Sequence, residues 1–97
     1  MTYRAVSFEC FGRVQGVFFR KYTQEHAASL GVVGWIRNTS RNTTEGEIQG
    51  PADAVNKMKT WLQTKGSPSS IIERAEFANE REIQHLEFDS FKIRKDK

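Results

Sequence analysis

The sequence predicts an α+β sandwich, and three observations predict it. Strand-length segments, at residues 4–11, 32–38, 45–50, 71–80 and within 86–94, alternate in polarity or are rich in β-branched residues. Between them lie two stretches with an apolar period of three to four residues, each closed by a glycine, Gly31 and Gly66. The order is strand–helix–strand–strand–helix–strand, with a further short strand at the end. That is the ferredoxin-like β-α-β-β-α-β plan: one mixed, mainly antiparallel sheet of four to five strands, with both helices on one face.

Residues 4–11 place Val6, Phe8 and Cys10 on one side and Ser7, Glu9 and Phe11 on the other, the pattern of a half-buried strand. Gly12 to Val17 then reads as a loop. From Phe18 to Leu30, Phe19, Tyr22 or Thr23, His26 or Ala27, and Leu30 recur at helical spacing, and Gly31 stands at the expected left-handed cap. Val32–Asn38 and Glu45–Gly50 read as a strand pair joined by a five-residue turn, Thr39–Thr43, with Asn42 suited to a positive φ. Pro51 at the first helical position and Asp53 beside the positive dipole end open the second helix. Its stripe is Ala54, Met58, Trp61 and Leu62. Ser67–Ser70 is a loop, and Ile71–Glu80 a fourth strand with Ile72 and Phe77 inside. Glu80–Glu82 reads as solvated surface, and Phe88, Phe91 and Ile93 are the apolar members of the last segment.

A length of 97 residues implies a single domain over 1–97, with one modest core. No apolar run approaches the ~20 residues that span a bilayer, and no apolar signal region precedes the first strand, so a cytoplasmic protein that binds no membrane is expected. The single cysteine, Cys10, excludes an internal disulfide and a cysteine-rich metal site, and its place in the alternating run makes it a buried structural thiol. His26 reads as a packing residue. The net charge of +3 fits a small anionic ligand as readily as nucleic acid. A monomer is the default for so small a domain.

The stretch with the most chemistry in it is Gly12-Arg13-Val14-Gln15-Gly16-Val17-Phe18-Phe19-Arg20. Gly12 and Gly16 allow a tight turn whose amides converge. The following helix adds its positive end, and Arg20 a planar fork of donors. Together these make an anion site, most naturally for phosphate. The stretch lacks the Gly-Lys-Ser/Thr ending of a nucleotide phosphate loop and the glycine spacing of a dinucleotide fingerprint. A glycine-rich strand-to-helix turn with one basic residue is also ordinary connection chemistry.

The same nine residues, followed by Tyr22-Thr23, closely resemble the first signature of the acylphosphatase family. Gly34-Trp35-Ile36-Arg37-Asn38-Thr39-Ser40 resembles the second. Gly46-Glu47-Ile48-Gln49-Gly50-Pro51 and Gly66-Ser67-Pro68-Ser69-Ser70 carry the likeness along nearly the whole chain. The resemblance implies hydrolysis of carboxyl-phosphate anhydrides, with Arg20 and the loop Val14, Gln15, Gly16, Val17, Phe18 and Phe19 holding the phosphate. It also implies that Asn38, which reads locally as a turn former, orients the attacking water. Thr39 is a candidate brace for Asn38. The implied ligands are an acyl phosphate substrate and inorganic phosphate as product and competitor, with no cofactor and no metal. Three other readings share the plan. A base-stacking RNA module would use Trp35 and Phe11, but the glutamates of the third strand oppose nucleic acid. A metal carrier lacks its cysteine pair. An inactive anion-binding relative differs only in turnover.

Overall fold

The computed structural model describes residues 2–96. Its elements are β1 (Tyr3–Arg13), α1 (Phe19–Leu30), β2 (Val33–Asn38), β3 (Thr44–Gly50), α2 (Ala52–Thr64), β4 (Ile71–Ile83) and β5 (Phe91–Ile93). The strands form one sheet in the order β4-β1-β3-β2-β5, antiparallel throughout except for the β2–β5 pair. The predicted α+β plan therefore holds, with the terminal strand added parallel at the β2 edge.

One sheet face carries the core. Val6, Phe8 and Cys10 of β1, Ile36 of β2 and Ile48 of β3 meet Phe19 and Ala27 of α1 and Val55, Met58 and Leu62 of α2. Alternation explains the strand members, since a residue of each pair must face the helices. Val55 widens the α2 stripe beyond the four residues predicted. On α1 the inner positions are Phe19, Thr23 and Ala27. Tyr22 is exposed, and His26 stacks on Trp61 with centroids 4.9 Å apart. Cys10 is buried, with Sγ 3.6 Å from the Leu62 carbonyl, and burial pushes its thiol up to about 12.

The opposite face is covered in part by the chain between β4 and β5. Gln49 is fully buried there, and every polar atom of its amide is used: Nε2 donates to Glu47 and Glu87 at 2.6 and 2.7 Å, and Oε1 accepts from the Glu87 amide at 2.9 Å.

Three boundaries and the burial of the outer strands differ from expectation. β1 continues through Gly12 and Arg13, placed above in the loop, because they pair with Ile72 and Ile71 of β4 after a register shift. Gly12 is thus a strand residue at φ 122, where a Cβ would run into the Ile71 and Glu73 backbone. β4 continues to Ile83, so Glu80–Glu82 are exposed strand residues, with Arg81 and Glu82 paired to β1 and Glu80 at a register shift. Pro51 is the cap of α2 rather than its first residue. Ile72 and Phe77 pack against the core but are only partly buried, and Ile93 is exposed, as befits the two edge strands of the sheet.

Candidate active site

Arg13 ends β1 and Phe19 begins α1, so the connection Val14–Phe18 must reverse from strand to helix in five residues. Two left-handed residues do this: Gly16 at φ 73 and Phe18 at φ 58, ψ 25, the latter as the cap of α1. Val14 and Val17 are buried and anchor the loop from below. Among the described residues, no backbone N–H from Gln15 to Lys21 finds a hydrogen-bond acceptor. A run of unpaired amides flanking left-handed residues, at the positive end of a helix, is an anion-binding concavity.

This loop forms one wall of a cavity of about 360 Å³ lined by Val14, Gly16, Phe18, Phe19, Arg20, Lys21, Asn38 and Ile93. Arg20 is in the first turn of α1, and Asn38 is the last residue of β2. Strand order brings these together, because β2 and β1 flank β3 and both run out at the end where the loop begins. The sequence-predicted residues Val14, Gly16, Phe18, Phe19, Arg20 and Asn38 therefore share one cavity. Gln15 and Val17 are absent from its lining, and so is Thr39.

Asn38 is buried, and its Oδ1 has no hydrogen-bond partner among the described residues. Leaving a buried acceptor alone costs about 1–3 kcal/mol, so this oxygen calls for a donor from outside the protein, a water or a ligand. Arg20 is held from the far side of the chain: its Nη1 lies 3.0 Å from Oδ1 of Asp96, an exposed carboxylate.

Gln15 and Thr39 act on the frame. Gln15 Nε2 donates to the carbonyls of Thr39 and Thr43, both at 2.9 Å, and so stitches the loop to the turn that follows Asn38. In that turn Thr43 Oγ1 donates to Glu9 at 2.6 Å, which uses its only hydrogen. The 2.6 Å contact between the two hydroxyls must then be Thr39 donating to Thr43, while Thr39 Oγ1 accepts from the Arg41 amide at 3.1 Å. Thr39 thus fixes the turn directly after Asn38, with no bond to the Asn38 side chain among the described residues. Partial burial pushes the Glu9 carboxyl up, but the Thr43 hydroxyl and the Arg41 guanidinium outweigh it and hold Glu9 below the usual carboxylate range.

Lys21, Ile93 and Asp96 were not foreseen at the site. Lys21 follows Arg20 and had a signal in its charge. Ile93 lines the cavity, and Asp96 meets Arg20, only because β5 runs parallel beside β2, which no local pattern announces.

Three features bear on other chemistry. Among the described residues no group of three His, Cys, Asp or Glu side chains is arranged to hold a metal ion, and no helix is long and apolar enough to cross a membrane. Aromatic rings away from the helix layer are capped by guanidinium groups: Arg37 and Arg94 lie 5.0 and 4.4 Å from the Trp35 ring, and Arg74 lies 3.8 Å from that of Phe11. Such rings present no bare surface to a nucleic-acid base.

A sequence model described as Acylphosphatase matches residues 6–93. Acylphosphatase-2 of Gallus gallus is 57% identical over 91 residues, which is 94% of this chain and 88% of that protein. Acylphosphatase-2 of Homo sapiens is 55% identical over the same length, covering 94% and 92%. Among solved structures, an acylphosphatase from Coxiella burnetii superposes with a TM-score of 0.83 at 27% identity, covering 95% of this chain and 93% of that one.

Proposed function

The chain belongs to the acylphosphatase family, and from that premise we propose how its own residues hydrolyse the carboxyl-phosphate bond. Arg20 and the amides of Val14–Phe19 hold the phosphoryl oxygens. Asn38 accepts a hydrogen from a water molecule and aims it at phosphorus. The water oxygen forms the new P–O bond as the bond to the acyl oxygen breaks, and the electron pair leaves with the carboxylate. Charge that spreads over the phosphoryl oxygens meets a guanidinium and oriented amides that need no rearrangement. Asparagine is too weak a base to take the water's proton, so that proton goes to a phosphoryl oxygen. A carboxylate is a good leaving group and requires no strong general acid.

The observation that carries this reading is the unpartnered Oδ1 of Asn38, buried at the wall of the same cavity as Arg20. The experiment is steady-state hydrolysis of acetyl and benzoyl phosphate with inorganic phosphate as competitor. Losing one preorganised donor typically costs about 10²–10³ in rate. Arg20→Gln is therefore expected to lose at least about 10² in kcat and to weaken phosphate inhibition. Asn38→Ala is expected to lower kcat with phosphate inhibition little changed, since its partner is water. Full kcat in Asn38→Ala refutes the water-orienting role, and undiminished phosphate inhibition in Arg20→Gln refutes the cradle.

The RNA-binding and inactive readings are not favoured, the first because the candidate stacking rings are covered, the second because both reactive groups line the cavity.

A further inference from the structure

Four large apolar side chains are exposed among the described residues: Phe18, Tyr22, Ile71 and Ile93. Two of these, Phe18 and Ile93, line the cavity that holds Arg20 and Asn38. Phe18 is the more unusual. Its backbone sits in the left-handed region at φ 58, where a bulky residue is strained, and its ring is 72% exposed. The fold thus bears strain at this position without burying the side chain in return. Strained residues held at a cavity are a mark of ligand contact. Ile93 is 41% exposed on β5, from the opposite end of the chain, and closes on the same opening.

We infer that Phe18 and Ile93 form an apolar seat for the acyl group, which makes this chain selective for acyl phosphates with aromatic or branched acyl groups over acetyl phosphate. The inference rests on the placement of the phosphoryl group between Arg20 and the loop amides. With phosphorus against the loop amides, the acyl group extends away from them, and Phe18 and Ile93 are the exposed apolar members of the lining. Two apolar side chains border the cavity, and a ring laid against them removes apolar surface from water. Acetyl, with one methyl group, gains little.

The test is the ratio of kcat/KM for benzoyl phosphate to that for acetyl phosphate. Comparing the ratio between proteins cancels the different intrinsic reactivity of the two esters and any shared loss at the phosphate cradle. Phe18→Asn removes the ring with a residue that tolerates a positive φ, and Ile93→Thr keeps the β-branch of the strand residue. Each is expected to lower the ratio about three- to tenfold, the scale of a partly open apolar contact. Phe18→Tyr keeps the ring and is expected to keep the ratio. Hydrolysis of both substrates with a ratio unmoved in Phe18→Asn and Ile93→Thr overturns this inference alone. Hydrolysis of neither substrate by the native protein overturns the hydrolase reading and the seat with it.

Discussion

Gln15 offers the sharpest test of how the frame serves the site. Its side-chain nitrogen donates two 2.9 Å bonds across to the turn, to Thr39 and Thr43. Gln15→Met keeps length and volume but removes both. The Thr43 carbonyl retains the Thr39 amide at 2.9 Å, whereas the Thr39 carbonyl has no other protein donor among the described residues. With a net worth of about 0.5–1.5 kcal/mol per bond, the loss in stability comes to about 1–3 kcal/mol. In a domain of 97 residues each kcal/mol lowers Tm by roughly 4–8 °C. The catalytic consequence is separable. Asn38 precedes Thr39, so a turn released from the loop lets the carboxamide drift from its aim, and a misplacement on the scale of 1 Å costs up to about 10² in rate. Calorimetry and steady-state kinetics at 25 °C, where the variant stays folded, read the two effects apart. The expected result is a kcat at least about tenfold lower, with phosphate inhibition reduced less. A variant with native kcat refutes the stitch as a positioning device, whatever happens to Tm.

Three further outcomes follow from single contacts. Asp96→Asn frees the Arg20 guanidinium from a pair whose carboxylate is largely exposed. Such pairs are worth about 0–1 kcal/mol, so inorganic phosphate should inhibit more tightly by no more than about fivefold, and weaker inhibition would contradict the pairing. Cys10, its thiol pushed up to about 12 by burial, should resist a thiol-reactive dye at pH 8 in the native state and react freely in urea; equal rates would refute its burial. Glu9 is held below the usual carboxylate range, so its contribution is present above the unfolded pKa of about 4.3 and is lost as pH falls through the lower folded value. Glu9→Gln should therefore flatten the acid limb of the urea midpoint against pH, and an unaltered limb would refute the assignment.

What could be read from sequence was what local period and turn chemistry control. The stripe of α1 follows from Phe19, Thr23 and Ala27 at helical spacing, and Asn42 takes the positive φ its side chain tolerates, at 62°. Where pairing decides, local pattern fails. Gly12 looks like the start of a loop, yet it is a ladder residue because the backbones of Ile71 and Glu73 approach too closely for a Cβ. Glu80–Glu82 look like surface and are surface, but on a strand at the sheet edge, where Arg81 and Glu82 pair with β1. At the site, the signatures single out Arg20 and Asn38, which the structure brings to one cavity, because resemblance carries information that spacing does not. The roles of Gln15 and Asp96 were hidden for a physical reason: their partners lie 24, 28 and 76 residues away, and nothing local specifies such contacts.

The coincidence of costs at the cavity is itself an argument about function. Phe18 sits at a positive φ, an aromatic residue where glycine would be relaxed, a cost of about 1–3 kcal/mol. Asn38 Oδ1 is buried with no protein donor among the described residues, and an acceptor left so would carry a similar cost unless a water or ligand meets it. A domain of this size has a total stability of only about 5–15 kcal/mol. Two buried hydroxyls elsewhere, Thr44 Oγ1 and Ser67 Oγ, also lack a protein partner, whereas every polar atom of the Gln49 amide is used. What sets the cavity apart is that a strained aromatic residue, an unpartnered acceptor, a guanidinium and free amides meet there, the combination a ligand would use. A phosphoryl group with an attacking water supplies every missing partner: oxygens for the amides and Arg20, and a hydrogen for Asn38. A bare sulfate-like anion would satisfy the first set, and Asn38 is placed at the same cavity to accept from a water beside it, which is the arrangement the proposed hydrolysis requires.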